Sequence, residues 1–325
     1  RVRSSAASDV YKRQDKIYNF DIVINTCLAE INPASVMPDF DKNGFLLSVI
    51  NGFEDGAWRK KVFRQFVLDN IAQTGLSAED RDNLYCESPY TTLTESVKNL
   101  RLVDTDNGQG SEIAEIVLYG IMRYYYGALP VVPKIFYKQN TNDNAKGADS
   151  VHIVLDDKGD FTLWLGEAKF YSNIANERMY EPVKSVFDTI STDKIKKENS
   201  IITSISDLQY VIPNPDTRKF VQTILRRETS VDEIRKRLHI PILLLHECDK
   251  TQKATELSET YLGEIKRYHL DRAINYFNIQ NGKQKKQNVH GYDNIQFHLI
   301  LFPVPNKNEI VNWFVERAKQ IKEDA

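Results

Sequence analysis

The stretch from Lys146 to Tyr171, KGADSVHIVLDDKGDFTLWLGEAKFY, constrains the fold more than any other part of the chain. Two runs rich in β-branched, aromatic and aliphatic residues, Ser150–Leu155 and Phe161–Leu165, flank the turn-forming cluster Asp156-Asp157-Lys158-Gly159-Asp160, a pattern that predicts a β-hairpin. With the turn centred on Lys158, opposed residues share a face, and Asp149 falls directly across from Glu167. Val151, Ile153, Leu155, Phe161, Leu163 and Leu165 occupy that face, and the strand's period of two adds Lys169 to it. An apolar sheet face therefore ends in two acids and a lysine.

Like charges set opposite each other repel, so two converging carboxylates need a compensating cation. Lys169 supplies part of it. A divalent ion such as Mg²⁺, which takes carboxylate and carbonyl oxygens, would supply more. The plainer alternative is a solvated hairpin end where Glu167 and Lys169 form a weak same-face salt bridge. Spacing alone leaves both open.

At 325 residues the chain can bury a substantial core, as one large domain or two modest ones. No apolar run of about 18 residues suits a membrane span, and no signal-peptide pattern opens the sequence. Cys27, Cys86 and Cys248 lie far apart without CxxC spacing, which indicates neither a zinc ribbon nor a disulfide framework. A reducing, cytoplasmic setting is the expectation. The net charge of −2 argues against a generally cationic nucleic-acid coat, so any DNA contact would have to come from local patches or from a partner. Residues Arg1–Gln14, RVRSSAASDVYKRQ, lack an initiating Met and resemble translated adapter sequence; the native N-terminus is expected to be missing.

Residues 15–105 read as an N-terminal α/β accessory region or part of a shared sheet. Its expected elements are a strand over 18–25, an apolar run over 45–50, a helix over 54–73, and a shorter helix over 77–86 with Ser77 as N-cap and Asp80 in its first turn. Trp58, Phe63, Phe66 and Val67 recur at helical spacing and suit a core. The polar loop 104–110 ends where Ser111 can cap a helix over 112–126 that is apolar nearly all round and hence buried. Glu112 lies in its first turn, where the macrodipole favours an acid. Glu115 lies one turn deeper, on the stripe with Leu118, Tyr119 and Met122, and a buried acid there needs a partner. Tyr124, Tyr125 and Tyr126 suit packing. A third strand is expected over 131–138, followed by a turn-rich loop over 139–145 that leads to Asp149.

After Tyr171 the pattern turns helical, with segments over 174–190 (interrupted near Pro182), 193–198, 217–227 and 231–238, read as a helical insertion of about 174–238. Arg218, Lys219, Arg226, Arg227, Arg235, Lys236 and Arg237 are each ordinary for a solvated face, and together the best candidates for phosphate contacts. Residues 240–246 form a continuous apolar run of the kind found in a strand covered on both faces. His246, Glu247 and Asp249 at its end fit no zinc spacing and suit a strand-end cap. A long helix over 256–278, a flexible basic loop over 281–290, a last strand over 295–302 stopped by Pro303 and Pro305, and a closing helix over 308–322 complete the chain. Strands alternating with helices, plus one hairpin, predict an α/β fold with a mixed central sheet flanked by helices.

Asp149, followed eighteen positions later by Glu167-Ala168-Lys169 at the end of a hydrophobic strand, resembles the metal-binding signature of the PD-(D/E)XK nuclease superfamily. The order of elements agrees: a helix carrying an acid, a strand, then the hairpin. More narrowly, GSEIAEIVLYGIMRYYYG, VPKIFYKQNTNDNAKGADSVHI and LWLGEAKFY resemble the HamA family, nuclease subunits of the bacterial Hachiman anti-phage system. The resemblance runs from Gly110 to about Tyr171. It implies a restriction-endonuclease-like core over 106–325 and a metal-dependent DNA nuclease. Asp149, Glu167 and the carbonyl of Ala168, with Glu115 contributed by the helix, would hold Mg²⁺ or Mn²⁺, and Lys169 would orient water or offset developing charge. It further implies DNA cleavage with little sequence preference, beside a superfamily helicase (HamB-like) encoded alongside. A catalytically silent regulatory or DNA-binding subunit, or a sequence-specific endonuclease, are the alternatives.

Overall fold

The structure is a computed structural model that describes residues 16–31, 43–85, 88–102, 110–137, 147–204 and 207–324. The N-terminal residues 1–14, most of the expected loop 104–110 and the whole of the expected loop 139–145 lie outside them. The hairpin closes in the register that its alternation demands, with Ser150 paired to Gly166, Ile153 to Leu163 and Leu155 to Phe161. Asp156 organises the turn, its Oδ1 accepting from the N–H groups of Lys158 and Asp160, while Gly159 takes the left-handed conformation at φ 79°.

The strands are β1 (Lys16–Ile17), β2 (Phe20–Cys27), β3 (Gly44–Ile50), β4 (Phe53–Glu54), β5 (Ala57–Trp58), β6 (Leu129–Val132), β7 (Ser150–Leu155), β8 (Phe161–Tyr171), β9 (Leu238–Glu247) and β10 (Gln296–Val304). All but β4 and β5 join one eight-stranded sheet in the order β1-β2-β3-β10-β9-β8-β7-β6. Its centre, β3-β10-β9-β8, is parallel, and the flanking pairs are antiparallel. The early strands thus share the sheet that carries the hairpin. Inner β9 is apolar along nearly its whole length because helices cover both of its faces.

The longer helices are α1 (Lys60–Gly75), α2 (Ala78–Tyr85), α3 (Pro89–Lys98), α4 (Ser111–Tyr126), α5 (Tyr180–Thr189), α6 (Thr192–Ser204), α7 (Pro215–Ile224), α8 (Glu259–Gln287) and α9 (Lys307–Glu323). Phe63, Phe66, Val97, Ile310 and Phe314 from α1, α3 and α9 pack with α4 against Trp164, Ala168 and Phe170 on one sheet face. Val186, Ile195, Val221 and Tyr276 from α5 to α8 pack against Val151, Ile153, Leu163 and Leu165 on the other. Ser77 caps α2 as expected, its Oγ accepting from Asp80 N–H at 2.9 Å.

Several expected elements are corrected. The helix expected from residue 54 begins at Lys60, because Phe53–Glu54 and Ala57–Trp58 form a small hairpin around Asp55-Gly56, both at positive φ. The strand expected over 131–138 ends at Val132, and after Pro133 the chain makes the helical turn Lys134–Tyr137. Ser111 is the first residue of α4 rather than its cap; Gly110, at φ 89°, precedes it and offers no side chain. The basic loop expected over 281–290 is largely helix, since α8 runs through Gly282 to Gln287 and ends at Asn288 in the left-handed conformation. Pro303 lies inside β10 and pairs with His246. Phe297 N–H points to the β3 side, so by the period of two position 303 faces that side too; β3 pairing ends at Leu301, and the missing N–H breaks no ladder.

Candidate active site

Period-two alternation along β8 sends Ala168 towards α4 and Glu167 towards α5 and α6. Asp149, just ahead of β7, donates its N–H to the Gly166 carbonyl at 2.8 Å, which continues the hairpin ladder to the level of the acids. Its Oδ2 accepts from Ala168 N–H at 3.1 Å and lies 3.5 Å from Lys169 Nζ. Glu167 Oε2 lies 3.6 Å from the same ammonium, and Glu167 Oε1 accepts from Thr189 Oγ1 at 2.6 Å. Two carboxylates from opposed strands therefore share one lysine, as the hairpin register predicts.

The group opens into a cavity of about 420 Å³ that Gly147, Ser185, Asp188, Ser191 and Lys194 also line. Burial, then the Asp149 charge, pushes the Glu167 carboxyl up to about 7, against the opposing pull of Lys169 and Thr189. Burial alone would depress Lys169, but Asp149 and Glu167 outweigh it and hold its ammonium above the ordinary lysine value. The site is thus short of positive charge, and its donors are hard oxygens of the type that Mg²⁺ or Mn²⁺ prefers. Three carboxylates, Asp149, Glu167 and Asp188, and two lysines, Lys169 and Lys194, line the cavity, and only Asp149 and Glu167 of the acids meet at Lys169; no group of three or more His, Cys, Asp or Glu able to hold a metal occurs among the described residues. A larger cavity of about 850 Å³ lies elsewhere, beside Leu68, Arg81, Tyr90 and Tyr210. Arg81 there is spent on the carbonyls of Ala72, Gln73 and Leu76 at the end of α1, a structural use, and the smaller cavity, where two carboxylates meet one lysine, is the better candidate.

Glu115 is buried on α4 at 5% exposure and does not line the cavity. The helix nonetheless crosses the site strand. A Cβ on Gly110 would stand 3.0 Å from Phe170, and one on Gly166 would stand 2.9 Å from Leu118, and Glu115 falls between these two anchors along the helix. Glu112 does structural work, accepting from the N–H groups of Arg101 and Leu102.

Four of the seven basic residues marked as phosphate contacts have partners within the chain. Arg235 bonds Asp232, Thr192 and the Ile190 carbonyl, Lys236 pairs with Glu233, Arg237 with Asp160, and Arg218 with the carbonyls of Ile212 and Pro213. Glu247 accepts from Lys307 N–H at 2.7 Å and so ties the end of β9 to the start of α9. Tyr125 and Tyr126 are core residues.

Spacing gave no sign of three residues beside the site. Thr189 holds Glu167, while Lys134 and Glu198 form a buried ion pair next to Ala148. Thr189 ends a helix that the apolar pattern marks, yet no local motif ties it to β8. The only sequence signal for the pair was two charged residues in segments that must be buried for the sheet to be covered.

Among the described residues no helix is long and apolar enough to cross a membrane. A protein-family model described as HamA matches residues 27–318, nearly the whole chain. Comparison with curated proteins finds no match.

Proposed function

This chain belongs to the HamA family, which carries a role in Hachiman anti-phage defence, and on that premise we propose that it is a metal-dependent DNA nuclease with a restriction-endonuclease-like core. The observation that carries the reading is the convergence of Asp149, Glu167 and Lys169 on one cavity, with the Glu167 carboxyl displaced to about 7 by burial and by its neighbour. Asp149 and Glu167, with the Ala168 carbonyl, are the proposed ligands of Mg²⁺ or Mn²⁺, and Glu115, buried on the helix that crosses the site strand and outside the cavity lining, is proposed to act from behind them. Bound there, the ion would supply charge neutralisation at a phosphate and a lowered pKa for attacking water.

The protein's own part is orientation and charge. Ala168 N–H and Lys169 fix the Asp149 carboxylate, and Thr189 turns one Glu167 oxygen away so that the other faces the lysine. The Lys169 ammonium offsets negative charge developing on the phosphate and orients the water that attacks it. Hydrolysis leaves a 5′-phosphate and a 3′-hydroxyl. DNA affinity comes largely from a helicase partner encoded alongside, a reading supported by the net charge of −2.

The test is DNA degradation by the purified chain, with and without its helicase and ATP, on linear and circular DNA in Mg²⁺ or EDTA. Loss of DNA that needs Mg²⁺ and drops about 10²-fold or more in Glu167→Ala and Lys169→Ala is the expected result. Intact DNA under every condition would sink the nuclease reading in favour of a regulatory subunit. A defined ladder of fragments would select a sequence-specific endonuclease.

A further inference from the structure

We infer that the buried Lys134–Glu198 ion pair is a positioning device for Asp149, a role that rests on the nuclease reading of the site. Lys134 Nζ lies 2.8 and 2.7 Å from the two carboxylate oxygens of Glu198, and the two side chains are 0% and 1% exposed. Lys134 is itself held, because Tyr119 Oη donates to the Val132 carbonyl at 2.6 Å and accepts from Lys134 N–H at 3.3 Å. The pair reaches the site through backbone. Glu198 Oε1 also accepts from Ala148 N–H at 3.0 Å. One residue earlier, a Cβ on Gly147 would stand 1.8 Å from that same oxygen, so the carboxylate is pressed flat onto the segment that leads into Asp149.

This segment is where the ladder stops helping. β7 begins at Ser150, and Asp149 reaches β8 through its own N–H and side chain. Ahead of it, Ala148 N–H is directed to Glu198 rather than to a strand. A carboxylate gripped on both oxygens by an ammonium has little freedom to rotate, so its third donor, Ala148 N–H, inherits a fixed position. Stability alone does not call for charges here, since apolar residues of similar volume often replace a buried ion pair without loss. What such residues cannot supply is an acceptor for Ala148.

Two double variants isolate that acceptor. Lys134→Met/Glu198→Gln and Lys134→Met/Glu198→Leu both remove the charges, and they differ in whether an oxygen remains for Ala148 N–H. Mn²⁺ affinity, read from the paramagnetic resonance of free Mn²⁺, and amide exchange of the peptide containing residues 147–149 are the two readouts. The glutamine variant is expected to bind Mn²⁺ close to the wild-type level. The leucine variant is expected to bind it about tenfold or more weakly, with faster exchange at 147–149, while unfolding as cooperatively. Equal affinity and equal exchange in the two variants would overturn the inference.

Should the leucine variant fail to fold, Gly147→Ala repeats the test from the backbone side, because its Cβ must push the carboxylate off the segment. About tenfold weaker Mn²⁺ binding supports the inference, and wild-type binding overturns it. Absence of Mn²⁺ binding by the wild-type chain is a separate result. It removes the nuclease reading, and the exchange comparison then decides the anchor by itself.

Discussion

Lys134 and Lys169 stand on either side of Asp149, and each meets two carboxylate oxygens, yet the two groups are built to opposite ends. Around Lys134 the charges balance, the contacts are 2.7 and 2.8 Å, and nothing is exposed. Around Lys169 two separate acids compete for one ammonium at 3.5 and 3.6 Å, the lysine is about a quarter exposed, and a cavity opens beside it. A closed pair holds geometry. A loosely paired group with two acids on one ammonium has room for another cation, and burial first, then the Asp149 charge, displaces Glu167 to about 7.

Removing one partner separates the two groups most sharply. Lys134→Ala leaves Glu198 charged and buried without its cation, and should cost about 3–5 kcal/mol of stability in denaturant titration. Lys169→Ala, beside a cavity that admits water and ions, should cost about 1 kcal/mol or less. Similar losses at both positions would erase the distinction. A smaller effect is expected from Thr189→Val, which deletes the hydrogen bond to Glu167 Oε1. It should weaken Mn²⁺ binding by about 1.5–3 kcal/mol and leave the Lys134 group untouched.

A last effect is graded by pH. Glu167 titrates near 7 in the folded chain, against an ordinary value of 4.5. With the acid's pKa raised on folding, metal-free stability loses this contribution progressively as pH rises from about 4.5 to about 7 and is flat beyond. Mn²⁺ affinity should move the other way, by up to about tenfold per pH unit, because the ion competes with that proton until about pH 7. Glu167→Gln should flatten the stability slope. Parallel slopes in stability and affinity would show that another group controls the site.

The sequence carried the hairpin in full because alternation and the Asp156–Asp160 turn are local signals, and its register alone brings Asp149 to Glu167 and Lys169. Less was legible where distance in the chain decides. Residues 131–138 read as a strand from their composition, but Lys134 is drawn into a helical turn whose ammonium meets an acid from α6, which no local pattern announces. The Asp55-Gly56 turn was a readable signal, masked by helical periodicity that in fact starts at Lys60. Polarity and Gly282 suggested a loop in the last two turns of α8, where Gln280 donates to the buried Tyr292 hydroxyl and helps dock that end of the helix.

The order of the central strands bears on when the sheet can be completed. β3 pairs on one side with β10, Gly44 meeting Phe297 and Leu47 meeting Ile300, while β9 lies between β10 and β8. A chain emerging from the ribosome makes β3 early and must leave one of its edges bare until residues 296–304 have been synthesised. The hairpin with Asp149 and Glu167 is likewise made long before the strands that seat it. On the nuclease reading, a nascent or truncated chain holds the site residues in its sequence but not the finished sheet beneath them, so the site is complete only once the last strand has been made.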